Sequence, residues 1–399
     1  MKSRHFLWLR IFSVVLVVSL AFSGLGVTPA WAAFTPSTFQ AATLVLGQAN
    51  FTSNAAATTQ TGMYVPVSIA VDPTTQKIFV ADTFNNRVLR FASAATLANG
   101  APAEAVLGQA NFTSGAAATA QNRMNSPVGV FVDSAGRLWV GDHNNNRVLR
   151  FDNASALANG TNASAVLGQP NFTSNAASTS QTGMWGPYNL FVDSGGRLWV
   201  ADDNNGRVLR FDNAASLANG AAASGVLGRP NFTNNTAGCS ATLMSTRVTG
   251  LEVDSSGRLW VADLNGNRVL RFDNAASLAN GAAASGVLGQ ANFTTCAAAT
   301  AQNRMSGPTD VGMDPAGRLY AAEWNNNRVL IFENAASLAN GANASYVLGQ
   351  PNFTTGAGNT GGLSASSMFH PYSTFYDPVQ NILWVADAFN NRVLRYGTL

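Results

Sequence analysis

Histidine and cysteine are scarce in this chain of 399 residues, which has three of the first and two of the second. Catalytic zinc usually takes three protein ligands rich in His. His5 falls in an N-terminal leader, so only His143 and His370 remain and a His-based zinc site is not expected. Also missing are a Gly-x-Ser-x-Gly elbow, a His-Glu-x-x-His helix and a phosphate-binding Gly-Lys-Ser/Thr loop, absences that weigh against nucleophilic and nucleotide chemistry. Past the leader, no apolar run approaches the ~20 residues a spanning helix needs.

The leader itself is plain. Lys2, Arg4 and Arg10 come before an apolar run from Ile11 to Val27, broken only by Ser and Gly, and then Ala30-Trp31-Ala32. That order reads as a signal peptide cut after Ala32, with residues 33–42 as a lead-in, and predicts a secreted or periplasmic protein. Taking away the three leader cations leaves 20 Lys plus Arg, against 20 Asp plus Glu. The pI of about 9.1 therefore belongs to the precursor, and the basic excess of a nucleic-acid binder is absent. Export places Cys239 and Cys296 where a disulfide can persist; they lie in equivalent loops of consecutive repeats, and either a bridge or two free thiols fits.

A repeat dominates what is present. Val45-Leu46-Gly47-Gln48 returns with its Leu at 107, 167, 227, 288 and 348, spacings of 61, 60, 60, 61 and 60. Inside each copy, apolar and polar residues alternate as in half-buried strands. One copy reads Tyr188 to Asp193, a Ser-Gly-Gly turn, Arg197 to Asp202, a second turn, Arg207 to Phe211, and a fourth strand from Gly225 towards Phe232. Four antiparallel strands per unit make a propeller blade, so the fold class is all-β, a six-bladed β-propeller spanning residues 43–399. Between third and fourth strands, Asp212 to Gly220 has a capping residue, helix-favouring Ala and Leu and a terminal Gly, which predicts one or two helical turns at the rim. The first repeat begins with a fourth strand, Leu44 to Phe51, and the last finishes with a third, Asn391 to Tyr396. The N-terminal strand is thus expected to complete the last blade and remove an open edge.

Val130 to Asp142, followed by Asn146-Arg147-Val148-Leu149-Arg150-Phe151, resembles the NHL repeat, and the likeness extends over all six units. The unit here is longer by its Ala/Asn-rich rim segment. The resemblance implies a propeller used in sensors, interaction modules and some enzymes, which constrains fold more than function.

The acid ending each second strand (Asp82, Asp142, Asp202, Asp263, Glu323, Asp387) is followed by an Arg at 87, 147, 207, 268, 328 and 392. Catalysis needs a group once, so a pair in every blade reads as structural. The Met of each unit (63, 124, 184, 244, 305, 368) reads as filling between blades, and the Asn-Phe-Thr triplets from Asn50 to Asn352 as turns, though they are formal glycosylation acceptors.

Variation among the six units clusters in two loops, fourth strand to next first strand and second to third strand, which must emerge on one face. Tyr64, Phe84, Trp185, Trp324 and Phe389 are expected to form an aromatic surface there, with Arg123, Arg304, His143 and His370 as polar partners. The expected function is a non-catalytic, monomeric binding module for a protein, peptide or glycan, with no cofactor. The alternative is a metal-assisted lyase or lactonase using one calcium ion in the central channel, for which Asn189 and Asp310 are the candidate ligands, standing where other units have Ser or Gly.

Overall fold

Alternating side chains and Gly- or Asn-bearing turns make each repeat fold back on itself three times. In the computed structural model, which describes residues 34–397, blade 2 runs Pro127–Val132, Leu138–Asp142, Arg147–Phe151 and Ala165–Leu167, each strand antiparallel to the last. The signal peptide reading, residues 1–32, lies outside the described residues. The innermost strands of blades 1 to 6 are Pro66–Val71, Pro127–Val132, Pro187–Val192, Val248–Val253, Pro308–Met313 and Pro371–Asp377. Each lies beside the next, and the sixth beside the first, so the sheets close into a ring. Leu44–Leu46 pairs with Arg392–Tyr396, Val45 opposite Leu394, and supplies the outer strand of blade 6. No sheet edge inside that blade is left for want of its fourth strand.

Two expectations are corrected. The outer strands are three residues long, as in Gly225–Leu227, because the chain then enters an Asx turn: Asn171 Oδ1, for instance, accepts from the amide and hydroxyl of Thr173. The rim segment holds a single 3-10 turn, Ala214–Ser216, instead of one or two helical turns. Asn213 enters it in the left-handed conformation (φ 50°) and makes no side-chain cap, which a helical start would require.

Apolar side chains fill the spaces between neighbouring blades. Met63, Met124, Met184, Met244, Met305 and Met368 have no exposed surface, and each such burial is worth about 1.5–3 kcal/mol. Their seat depends on glycine: at Gly108 (φ 82°) an added Cβ would come 2.9 Å from Met124 Sδ. The buried acid and Arg of each blade are joined, Arg207 Nε lying 2.7 Å from Asp202 Oδ2 with neither side chain exposed. Arg207 also donates to the carbonyls of Ser180, Gly183 and Phe232, tying the second-to-third-strand turn to both flanking loops.

Blade 3 shows the scaffold compensating for its own variation. Elsewhere a Gln, such as Gln109, donates to the carbonyls of Asn86 and Ala116. In blade 3 that place is taken by buried Arg229, which donates to Gly228, Met244 and Ser245 carbonyls. Gly206 stands where most blades have Asn, and a Cβ there would meet Arg229 at 2.1 Å. Cys239 and Cys296 form a disulfide between the loops leading into blades 4 and 5.

Candidate functional site

The buried acids present the variable residues. Asp82 uses Oδ2 for Arg87, and its Oδ1 accepts from the amide of Tyr64 at 2.6 Å. Trp185 and Phe369 are pinned in the same way by Asp202 and Asp387. The next turn is then hung on that peptide: Phe84 donates its amide to the Tyr64 carbonyl, and Phe389 to that of Phe369. Blades 1, 2, 3 and 6 thereby offer two adjoining side chains to the loop face, while in blades 4 and 5 the turn is bonded to a later peptide, Leu264 to Arg247 and Trp324 to Gly307. In blades 1 and 6, which are neighbours, both are aromatic: Tyr64 and Phe84 have ring centroids 5.1 Å apart, Phe369 and Phe389 5.7 Å. In blades 2 to 5 the corresponding pairs are Asn125 and Asn144, Trp185 and Asn204, Ser245 and Asn265, and Ser306 and Asn325.

Trp324 extends the aromatic patch inward. Its ring lies 6.1 Å from Phe389, 5.2 Å from His370 and 5.1 Å from Tyr372. His370 Nδ1 is 2.9 Å from the Trp324 carbonyl, and burial holds its pKa below the usual value. Tyr372 stacks on Tyr188 at 6.2 Å. These two rings come from blades 6 and 3, on opposite sides of the ring, and with Val67 and Val128 they close the channel at the loop face. Each inner strand has a register irregularity next to its first residue, and that bulge turns Tyr188 and Tyr372 towards the mouth. Burial pushes the hydroxyl of Tyr188 well above its usual pKa.

A polar cluster occupies the other half of the face. Asp203, fully buried, takes Arg247 Nη2 at 2.6 Å and Nε at 3.1 Å, and His143 Nε2 stands 3.6 Å from it. His143 packs edge-on against Tyr188 at 5.7 Å.

Residues 124–151 match the family model for the NHL repeat. The sequence matches no curated protein. Among solved structures, a structural genomics protein of unknown function from Bacteroides thetaiotaomicron is similar in fold, with TM-score 0.53 and 13% identity over 90% of this chain and 75% of that one. A streptogramin B lyase gives 0.47 at 12% identity, covering 86% and 95%. Virginiamycin B lyase from Staphylococcus aureus gives 0.43 at 12%, covering 81% and 77%.

Within this propeller, the predicted site residues separate into groups. Trp324, His370 and Phe389 are brought together where blades 5 and 6 adjoin, and Tyr64 pairs with Phe84 on blade 1. Trp185 is exposed on blade 3, and His143 belongs to the Asp203 cluster. Arg123 and Arg304 do not join the aromatic surface as expected: each donates Nη2 at 2.6 Å to a carbonyl of its own loop, Ala116 and Ala297. Tyr188, Tyr372 and Arg247 were missed. Comparing the second residue of each inner strand, Val67, Val128, Tyr188, Thr249, Thr309 and Tyr372, would have singled out the two aromatics.

Asn189 and Asp310 meet inside the channel, but as a closed pair. Asn189 Nδ2 donates to Asp310 Oδ1 at 2.6 Å, its own Oδ1 accepts from the Leu190 amide, and Asp310 Oδ2 accepts from the Thr374 amide. Burial pushes Asp310 up to about 7, against hydrogen bonds from Ser373, Asn189 and Thr374. The cavity here, which Glu252 also lines, measures about 40 Å³. Calcium takes six to eight oxygens. Among the described residues, no group of three His, Cys, Asp or Glu converges, and the candidate oxygens already have partners, so this set does not fit the ion.

Proposed function

We propose that the chain is an extracytoplasmic, monomeric binding module that holds a protein, peptide or glycan ligand on its loop face without chemical conversion. One observation carries this reading. Among the described residues, the exposed large apolar side chains are Tyr64, Phe84, Trp185, Val379 and Phe389, and all but Val379 stand on that face. Exposed aromatics gathered on one face mark interaction sites, since water leaves them at little cost and their rings supply most of the contact energy. A lyase or lactonase in the channel would need an ion and a substrate beside Asp310, where Asn189 and Thr374 already hold the carboxylate in about 40 Å³.

The test is a screen of residues 33–399 on peptide and glycan arrays, followed by equilibrium binding for Trp185→Ala and Phe389→Ala. Weakening by either variant, with unchanged melting, is the expected result. Ligands that bind equally well to both variants and to Phe84→Ala would place recognition elsewhere and refute the reading.

A further inference from the structure

The aromatic patch on blades 5, 6 and 1 is nearly free of charge. In the loops leading into these blades and in their second-to-third-strand turns, the only charged residue is Arg304, and its guanidinium is bonded to the Ala297 carbonyl. Burial lowers the pKa of His370, which favours its uncharged form. The ion pair of Asp203 and Arg247 stands on the other half of the face, so no carboxylate faces the patch from either loop set of these blades. Polar groups are present in another form. Asn325 is exposed beside Trp324, and Ser, Thr and Asn fill the surrounding loops, bringing both donors and acceptors.

Protein hot spots combine aromatics with arginine. Here the arginine half is withdrawn: Arg304 turns to its own backbone, and Arg87, Arg328 and Arg392 are fully buried. A polyanion would find only Arg304 there, already bonded to its own loop, and a polycation no carboxylate. What is left, two groups of rings spaced about 5–6 Å within each group, with Tyr64, Phe84 and Phe389 exposed and Trp324 and Phe369 half-buried, among neutral hydrogen-bonding side chains, matches a ligand with apolar C–H faces and hydroxyl edges.

We infer that this patch, Trp324, Phe369, Phe389, Tyr64 and Phe84, binds an uncharged oligosaccharide. The inference rests on the loop-face reading above and names the ligand class. Trp324 and Phe389 form one stacking platform beside the mouth of the channel, and Tyr64 with Phe84 a second on the adjoining blade. The floor between platform and channel is Tyr372 stacked on Tyr188.

Affinity electrophoresis and calorimetry of residues 33–399 with cello-, laminari-, manno-, malto- and chito-oligosaccharides, alongside heparin, polygalacturonate and a peptide library, test it. At least one neutral sugar is expected to bind with little dependence on salt. Phe389→Ala and Phe84→Ala should each weaken it about tenfold, the scale of losing one anchoring ring, while Val379→Ala, an exposed apolar residue off the loop face, leaves it unchanged. Failure of every neutral sugar to bind overturns the inference, as does a sugar whose binding ignores both Phe variants. If instead a peptide or charged polymer binds and Phe389→Ala weakens it, the loop-face reading stands and the carbohydrate assignment falls. If no ligand responds to any loop-face variant, both fall.

Discussion

Replacing Asp202 by Ala isolates the device that holds the loop face together. The change strips Arg207 of its only anion while the guanidinium stays buried among the carbonyls of Ser180, Gly183 and Phe232. Breaking a buried pair from one side costs about 3–5 kcal/mol, because the remaining charge keeps its desolvation penalty. With an unfolding entropy of about 2.1 cal/mol/K per residue, a chain of this size should lose roughly 4–7 °C in Tm. Arg207→Met leaves the acid instead. Burial already raises Asp202 above its usual value of 3.8 with Arg207 pulling it down, so without the Arg it rises further. A group raised on folding gives its full stability below the unfolded pKa and loses it as pH increases. The Arg207→Met deficit should therefore be smallest in acid and grow towards neutral pH. The double variant Asp202→Leu/Arg207→Met, with no charge left to desolvate, should recover most of the loss. Thermal melts across pH, arranged as a double-mutant cycle, measure all three. A loss below ~1 kcal/mol for Asp202→Ala, or a double variant no better than the singles, would refute the reasoning.

In the channel, Asp310 rises from 3.8 to about 7, so the wild type should lose stability relative to Asp310→Asn as pH increases from ~4 to ~7, by at most about 4 kcal/mol. Parallel pH profiles for the two proteins would show it, and identical profiles would contradict it. For the disulfide, Cys239→Ser/Cys296→Ser releases a loop of sequence separation 57, expected to cost about 4 kcal/mol and to lower Tm by roughly 5 °C. Calorimetry of the variant against the oxidised parent gives the value.

The propeller was legible in the sequence because one physical unit is written six times. Period-two strands, a turn at Gly136 or its counterparts and the acid–Arg pair recur together, so an error in reading one blade is corrected by the others. The rim turn was overread as helix because Ala and Leu favour helix in isolation, while Asn213 at φ 50° and the Leu217 that follows in extended conformation allow only one tight turn. At the site, Tyr64, Phe84 and Phe389 stood out as departures from the repeat, and their exposure agrees with that. Arg123 and Arg304 departed equally, but where a long side chain points depends on which carbonyl it can reach, and a repeat comparison does not contain that distance. Tyr188 and Tyr372 meet across the ring although 184 positions separate them in the chain. Only the closure of the six blades makes them neighbours.

That meeting of Tyr188 and Tyr372 gives the molecule a bowl where its topology would leave a tunnel. A solute resting on the loop side would stand on these rings, which do not line the small cavity beside Asp310. Opening the floor would take more than the loss of one ring, since Val67 and Val128 of two other blades pack in the same cluster.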